Sequence, residues 1–116
     1  MSYINLFIIA WLLTVLSETL VYVGLIKWWR EKVKPEQVLF AGLFTSTCTI
    51  PYLWFVMPSL WTGNELILWG ELIVFGVEIV ILNGVLKLGW KRSLWLSLMA
   101  NLASYGLGLI VMPYLQ

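Results

Sequence analysis

Four long apolar segments, separated by short polar connections, set the limits on what this chain can become. A bilayer core of about 30 Å is crossed by about 20 apolar helical residues. The first segment runs from about Tyr3 to Ile26 and is interrupted by one charge, Glu18. The second runs from about Val38 to Met57, inside a charge-free stretch between Glu36 and Glu65. The third, from about Leu66 to Leu86, carries Glu71 and Glu78, and the fourth, from about Ser93 to Tyr114, has no charge. Membrane strands would be runs of about 10 residues alternating in polarity, which these continuous runs are not.

Composition supports the same class. Apolar residues make up 61% of the 116 and charged residues 11%, against about 25% charged in an ordinary soluble domain. A soluble chain this small has too little interior to hide so much apolar surface. A soluble globular domain, a disordered chain and a nucleic-acid-binding module are thereby excluded. Seven Lys and Arg against six Glu leave no excess that would call for a charged partner. The expected fold is an all-α integral membrane protein: one four-helix transmembrane domain over residues 1–116, with the lipid bilayer as its medium and partner.

The connections are Lys27–Gln37, Pro58–Glu65 and Lys87–Arg92. Such short loops make consecutive helices antiparallel neighbours. All seven basic residues lie in the first and third connections: Lys27, Arg30, Lys32 and Lys34, then Lys87, Lys91 and Arg92. The bias in basic residues sets orientation, so loops 27–37 and 87–92 are expected to be cytoplasmic and both termini outside. A cleaved signal peptide is not expected, because the first basic residue follows the apolar run rather than preceding it. Trp28, Trp29, Trp90 and Trp95 flank one set of helix ends and Tyr3, Trp61, Trp69 and Tyr114 the other, as an interfacial aromatic belt would.

The chain also reads as one helical hairpin written twice. Glu18–Lys27 (ETLVYVGLIK) aligns without a gap on Glu78–Lys87 (EIVILNGVLK), with Glu, Gly and Lys coinciding. Phe40–Leu60 aligns without a gap on Trp95–Leu115, and the two end in VMPSL and VMPYL. The expected architecture is therefore two tandem hairpins, repeat 1 over about 3–60 and repeat 2 over about 66–116. Two spans per copy make the copies parallel, related by a pseudo-twofold axis along the membrane normal.

This repeat gathers polar residues at one depth. Glu18 and Glu78 each precede the aligned Lys by nine residues, about 13 Å at 1.5 Å per residue, near the bilayer middle. Asn101 and its aligned Ser46, with the aligned pair Thr49 and Ser104, fall close to the same layer. Thr14, Glu18 and Tyr22 share one face of the first helix, and Glu71 and Glu78 one face of the third. Ala100, Ser104 and Gly108 have the spacing that lets helix backbones approach. Pro51, aligned with Gly106, removes a backbone hydrogen bond in mid-span and frees a carbonyl near Thr47, which makes this pair the expected hinge.

A mid-membrane carboxyl is costly and is a functional candidate by default. No Lys or Arg lies within the spans to pair with Glu18 or Glu78, so a shared proton or a bound cation is expected there, with Glu71 nearer the outer surface. The candidate ion- or proton-binding set is Glu18, Glu78, Glu71, Asn101, Ser46, Thr49 and Ser104. The alternative is hydrogen-bonded glue between helices. The chain has no His and no Asp, and its one Cys is Cys48. Imidazole-based catalysis, imidazole zinc sites and an intrachain disulfide are therefore outside its repertoire, and no cofactor or resident metal is expected. Three readings follow: a proton- or cation-coupled transporter or channel working as a homo-oligomer; a non-catalytic subunit or scaffold contacting other membrane subunits; and, last, a Glu-dependent intramembrane enzyme.

Overall fold

The computed structural model describes residues 2–115; Met1 and Gln116, the ends of the expected domain, lie outside them. Among the described residues there are four α-helices and no strand. Helix α1 spans Tyr3–Trp28, α2 Pro35–Pro51, α3 Gly63–Leu86 and α4 Trp90–Val111. Among the described residues three helical stretches are long and apolar enough to cross a membrane: Tyr3–Trp28, Pro35–Ser59 and Trp90–Tyr114. That much is compatible with a membrane protein. The remaining helix, α3, has 24 residues and carries Glu65, Glu71 and Glu78 along its length.

Local chemistry sets the ends, some of them a few residues from where hydropathy alone places them. Ser2 caps α1 by accepting from the Asn5 amide at 3.2 Å. Past Trp28 the amide of Glu31 bonds the carbonyl of Ile26 and that of Arg30 the carbonyl of Lys27. This pattern closes a helix when the intervening residue is left-handed, and Arg30 takes that conformation with φ 58°. Pro35 opens α2, where a missing amide costs nothing, so α2 begins before Val38. The third helix starts at Gly63 rather than Leu66 because Asn64 and Glu65 suit a first turn, where the helix dipole favours an acidic side chain.

The largest local departure is at Pro51. Beyond it the chain winds as a π-helical segment over Tyr52–Val56 and a short 3-10 turn over Met57–Ser59. Gly106, the residue aligned with Pro51, sits inside regular α4, which ends in a similar 3-10 turn at Met112–Tyr114. The proline lacks the amide that would continue the α pattern; the glycine keeps its own.

The helices form a closed ring: α1 packs on α2 and α4, and α3 packs on α2 and α4. Helices α1 and α3 are therefore diagonal, as are α2 and α4. The bundle measures 41 × 26 × 19 Å. Its polarity is inverted relative to a soluble bundle. Ile4, Ile8, Leu12, Leu16 and Leu20 recur every fourth residue on the exposed face of α1, while Glu18, Tyr22 and Ile26 are the buried ones. Glu78, Thr45, Ser46, Thr49, Ser93 and Ser97 are also buried. Apolar surface outside and polar groups inside is the arrangement that lipid rewards and water penalises.

The two ends of the bundle differ. At the end holding all seven basic residues, Tyr22, Ile26, Val38, Ala41, Leu82, Leu86, Leu96 and Ala100 form a continuous packed core. Across that end Arg92 forms an ion pair with Glu31 and lies over the Trp29 ring, 5.3 Å from its centroid. At the opposite end aromatic rings join the first two helical stretches: Phe7 meets Phe55 edge-on at 4.8 Å, and the Tyr3 hydroxyl donates to the Trp54 carbonyl. Near mid-height Gly42 lets α2 close on α1, because a Cβ there would collide with the Thr19 side chain.

Candidate functional site

The candidate site forms where the diagonal helices α1 and α3 approach at mid-height. The four-residue rhythm that buries Glu18, Tyr22 and Ile26 on α1 also buries Gly70, Val74, Glu78, Leu82 and Leu86 on α3. Each carboxyl is therefore carried inward by its own helix face, and in the packed bundle the two carboxyl groups are direct neighbours. Glu18 is 0% exposed and Glu78 1%.

The carboxyls are held by donors from the following helix in sequence. Ser46 Oγ of α2 donates to Glu18 Oε2 at 3.3 Å. On the other side Asn101 Nδ2 of α4 donates to Glu78 Oε2 at 3.1 Å, joined by Ser97 Oγ at 3.3 Å. Asn101 Nδ2 is fixed in turn by the carbonyl of Ser97 at 2.9 Å. The remaining oxygen of Glu18, Oε1, is buried with no hydrogen-bond partner among the described residues, as is the hydroxyl of Tyr22 one turn away. Buried polar atoms left without partners are exceptional. Of the four among the described residues, one belongs to the carboxyl pair, the Thr19 and Tyr22 hydroxyls are on the same helix, and the Ser93 hydroxyl is at the basic end.

A cavity of about 370 Å³ opens onto one side of this layer, toward the end that lacks basic residues; Glu71, Glu78, Asn101, Ser104, Thr14 and Tyr105 are among its walls. No Lys or Arg is among the residues lining it. Glu18 does not line it either. Below Glu18 the packed core begins with Tyr22 and Leu82, both 0% exposed. The carboxyl layer thus has an open side and a closed side.

The structure brings together four of the sequence candidates, Glu18, Glu78, Ser46 and Asn101, in one hydrogen-bonded layer, and sets Glu71 and Ser104 in the cavity above it. Thr49 behaves differently. Its hydroxyl donates to its own helix at the Thr45 carbonyl, 2.7 Å away, rather than to either carboxyl. Ser104 likewise bonds within its helix, to the Asn101 carbonyl at 3.3 Å. Pro51 marks the switch from α to π winding, whereas nothing packs within 4 Å of a Cβ built on Gly106. The small-residue stripe divides in two: Ala100 is buried, but Gly108 borders the cavity instead of a neighbouring helix.

Two members were not among the sequence candidates for binding. Ser97 lies one turn before Asn101 on the same face, and Tyr22 one turn after Glu18; that i, i+4 relation is the signal that points to both. Among the described residues no group of three or more acidic or Cys side chains gathers in a cage for a metal ion.

Fold and site together define a class: an all-helical bundle compatible with a membrane protein, with a buried carboxyl pair beneath a one-sided cavity. Comparison with models of protein families, with characterised proteins and with solved structures returns no match.

Proposed function

We propose that this chain is a four-span membrane protein made of two tandem parallel hairpins, and that Glu18 and Glu78 form a central site through which a proton or a small cation is transported or conducted. The observation that carries the reading is the matched hydrogen bonding of the pair. Ser46 holds Glu18 and the aligned Asn101 holds the aligned Glu78. The repeat is further supported by the matched burial of Tyr22 and Leu82 and of Ile26 and Leu86, and by the paired 3-10 turns at Met57–Ser59 and Met112–Tyr114.

A hydrogen bond between two carboxyls requires a proton on one of them, because an ionised carboxylate only accepts. A proton held by Glu78 would supply the donor that Glu18 Oε1 lacks. A small hard cation between them would satisfy the same oxygens, with the Ser46 hydroxyl oxygen adding to its shell and Asn101 keeping its amide nitrogen on Glu78. Entry is from the cavity, past Glu71 and onto Glu78, with Ser104 along the wall. The closed side is the packed layer headed by Tyr22 and Leu82, and passage requires that layer to yield. Pro51 and Gly106 mark where the helices would flex; the π-wound segment after Pro51 faces the cavity through Leu53 and Trp54. In this reading loops 27–37 and 87–92 are cytoplasmic, the termini and the cavity mouth are outside, and the working unit is a homo-oligomer, since four short helices enclose little volume.

Ion and proton flux in liposomes tests this. Wild type should conduct, and Glu18→Gln and Glu78→Gln should each lower flux by about tenfold or more, some 1.4 kcal/mol of barrier. Absence of flux for protons and for the common monovalent and divalent cations removes the reading. A double Gln variant that assembles and works normally in cells reduces the carboxyls to packing groups.

A second reading, a scaffold or subunit of a larger membrane complex, is favoured by one feature. A groove of about 390 Å³ between α3 and α4 is almost wholly apolar, with Glu71 and Asn101 at its edge, as a partner helix would require. Obligate co-purification with other chains supports it, whereas a lone homo-oligomer in detergent supports transport.

A further inference from the structure

We infer that the groove between α1 and α4 at the basic end of the bundle is a binding site for one anionic phospholipid. The groove has a volume of about 430 Å³ and is lined by Leu25, Trp28, Trp29, Trp95 and Met99. Its walls carry no charge, yet its rim does. Lys91, Trp95 and Met99 follow one another at four-residue spacing, so they descend one face of α4 with the ammonium nearest the helix start. Arg92, the residue after Lys91 on α4, reaches over to α1 with its guanidinium above the ring of Trp29, a lining residue. A molecule that fits must be amphiphilic: an acyl chain against the three indoles and Met99, and an anionic headgroup at Lys91 and the open edge of Arg92.

Charge and position select a lipid. This end holds all seven basic residues of the chain and only two acidic ones, Glu31 and Glu36. Glu31 is engaged by Arg92, and among the described residues that is the only ion pair. Basic pockets between membrane helices beside the headgroup layer suit anionic lipids, and each nearby Lys or Arg adds about 1 kcal/mol of attraction. The groove is also preformed. Trp29 is pinned beneath Arg92, and Arg92 by Glu31, so little ordering remains to be done on binding. Trp28, the outer lining indole, is 79% exposed, so the preformed wall of the groove is the one that Trp29 makes. The site requires that the helices lie in a bilayer but not that the carboxyl pair transports anything.

Native mass spectrometry of the full chain in detergent, titrated with phosphatidylglycerol and phosphatidylcholine of identical acyl chains, tests the inference. One phosphatidylglycerol should be retained in preference to phosphatidylcholine. Lys91→Gln should weaken its retention about fivefold, the loss of one headgroup cation, and Lys91→Arg should restore it. Trp95→Ala should weaken retention of both lipids. Lys34→Gln, on a loop residue outside the groove, should change nothing, and neither should Glu18→Gln. Equal retention of the two lipids overturns the site. So does an equal effect of Lys34→Gln and Lys91→Gln, which would mean diffuse attraction by the basic end.

Discussion

The bundle is closed at one end and hollow at the other, although both ends are built from the same four helices. At the basic end, Tyr22, Ile26, Leu82, Leu86 and Leu96 fill the space between the helices with large side chains. Toward the opposite end Thr14, Glu71, Ser104 and Gly108 face inward among larger side chains such as Leu53, Trp54 and Tyr105, and the space between them is the cavity. The bundle is therefore filled at the basic end and open beyond it, and the boundary falls at the carboxyl layer. Polar residues placed there meet a void on one side and a dry wall on the other, the condition for a site reached from one direction.

The largest effect expected to break this comparison is in accessibility. In a Cys48→Ser background, Ser104→Cys in the cavity wall should be labelled by a water-soluble maleimide, and Ser93→Cys, buried at the closed end, should not. Equal labelling would mean that the two ends are alike in solution. Next comes packing. Leu82→Ala should destabilise by about 3 kcal/mol, within the range for large-to-small changes in a filled core, whereas Leu13→Ala, in the cavity wall, should cost under about 1 kcal/mol because no filled space is emptied. Unfolding of the reconstituted chain reads both, and similar costs would erase the distinction. The smallest effect concerns the close approach of α1 and α2. Gly42→Ala should cost about 2 kcal/mol as Thr19 is forced aside, while Gly24→Ala, whose Cβ meets nothing within 4 Å, should be neutral or slightly stabilising.

Much of the fold was legible because it rests on local physics. Four helices follow from four apolar runs. The separation of basic and non-basic ends follows from the placement of Lys27–Lys34 and Lys87–Arg92. The inward faces follow from helical spacing, which puts Glu18 on a face with Tyr22 and Glu78 on a face with Glu71. Helix ends were less legible, since the capping at Ser2, the left-handed Arg30 and the acidic first turn of α3 depend on single residues that hydropathy averages away. Thr49 was misleading for a related reason. A Thr inside a helix can satisfy its hydroxyl with the carbonyl four residues back, and once it does so, its place on a polar face does not bring it to the carboxyls.

From the sequence alone came the all-helical class, the excess of apolar surface, and the polar residues that share a face of each helix. These depend on hydropathy and on 3.6 residues per turn, and both act within a single segment. Only the tertiary structure decided that Glu18 and Glu78 are neighbours, that the space beside them opens toward one end, and that Gly42 rather than Gly108 is where helices close together. Those outcomes arise between diagonal and adjacent helices, from the volumes of side chains far apart in the chain, and no property of one segment contains them.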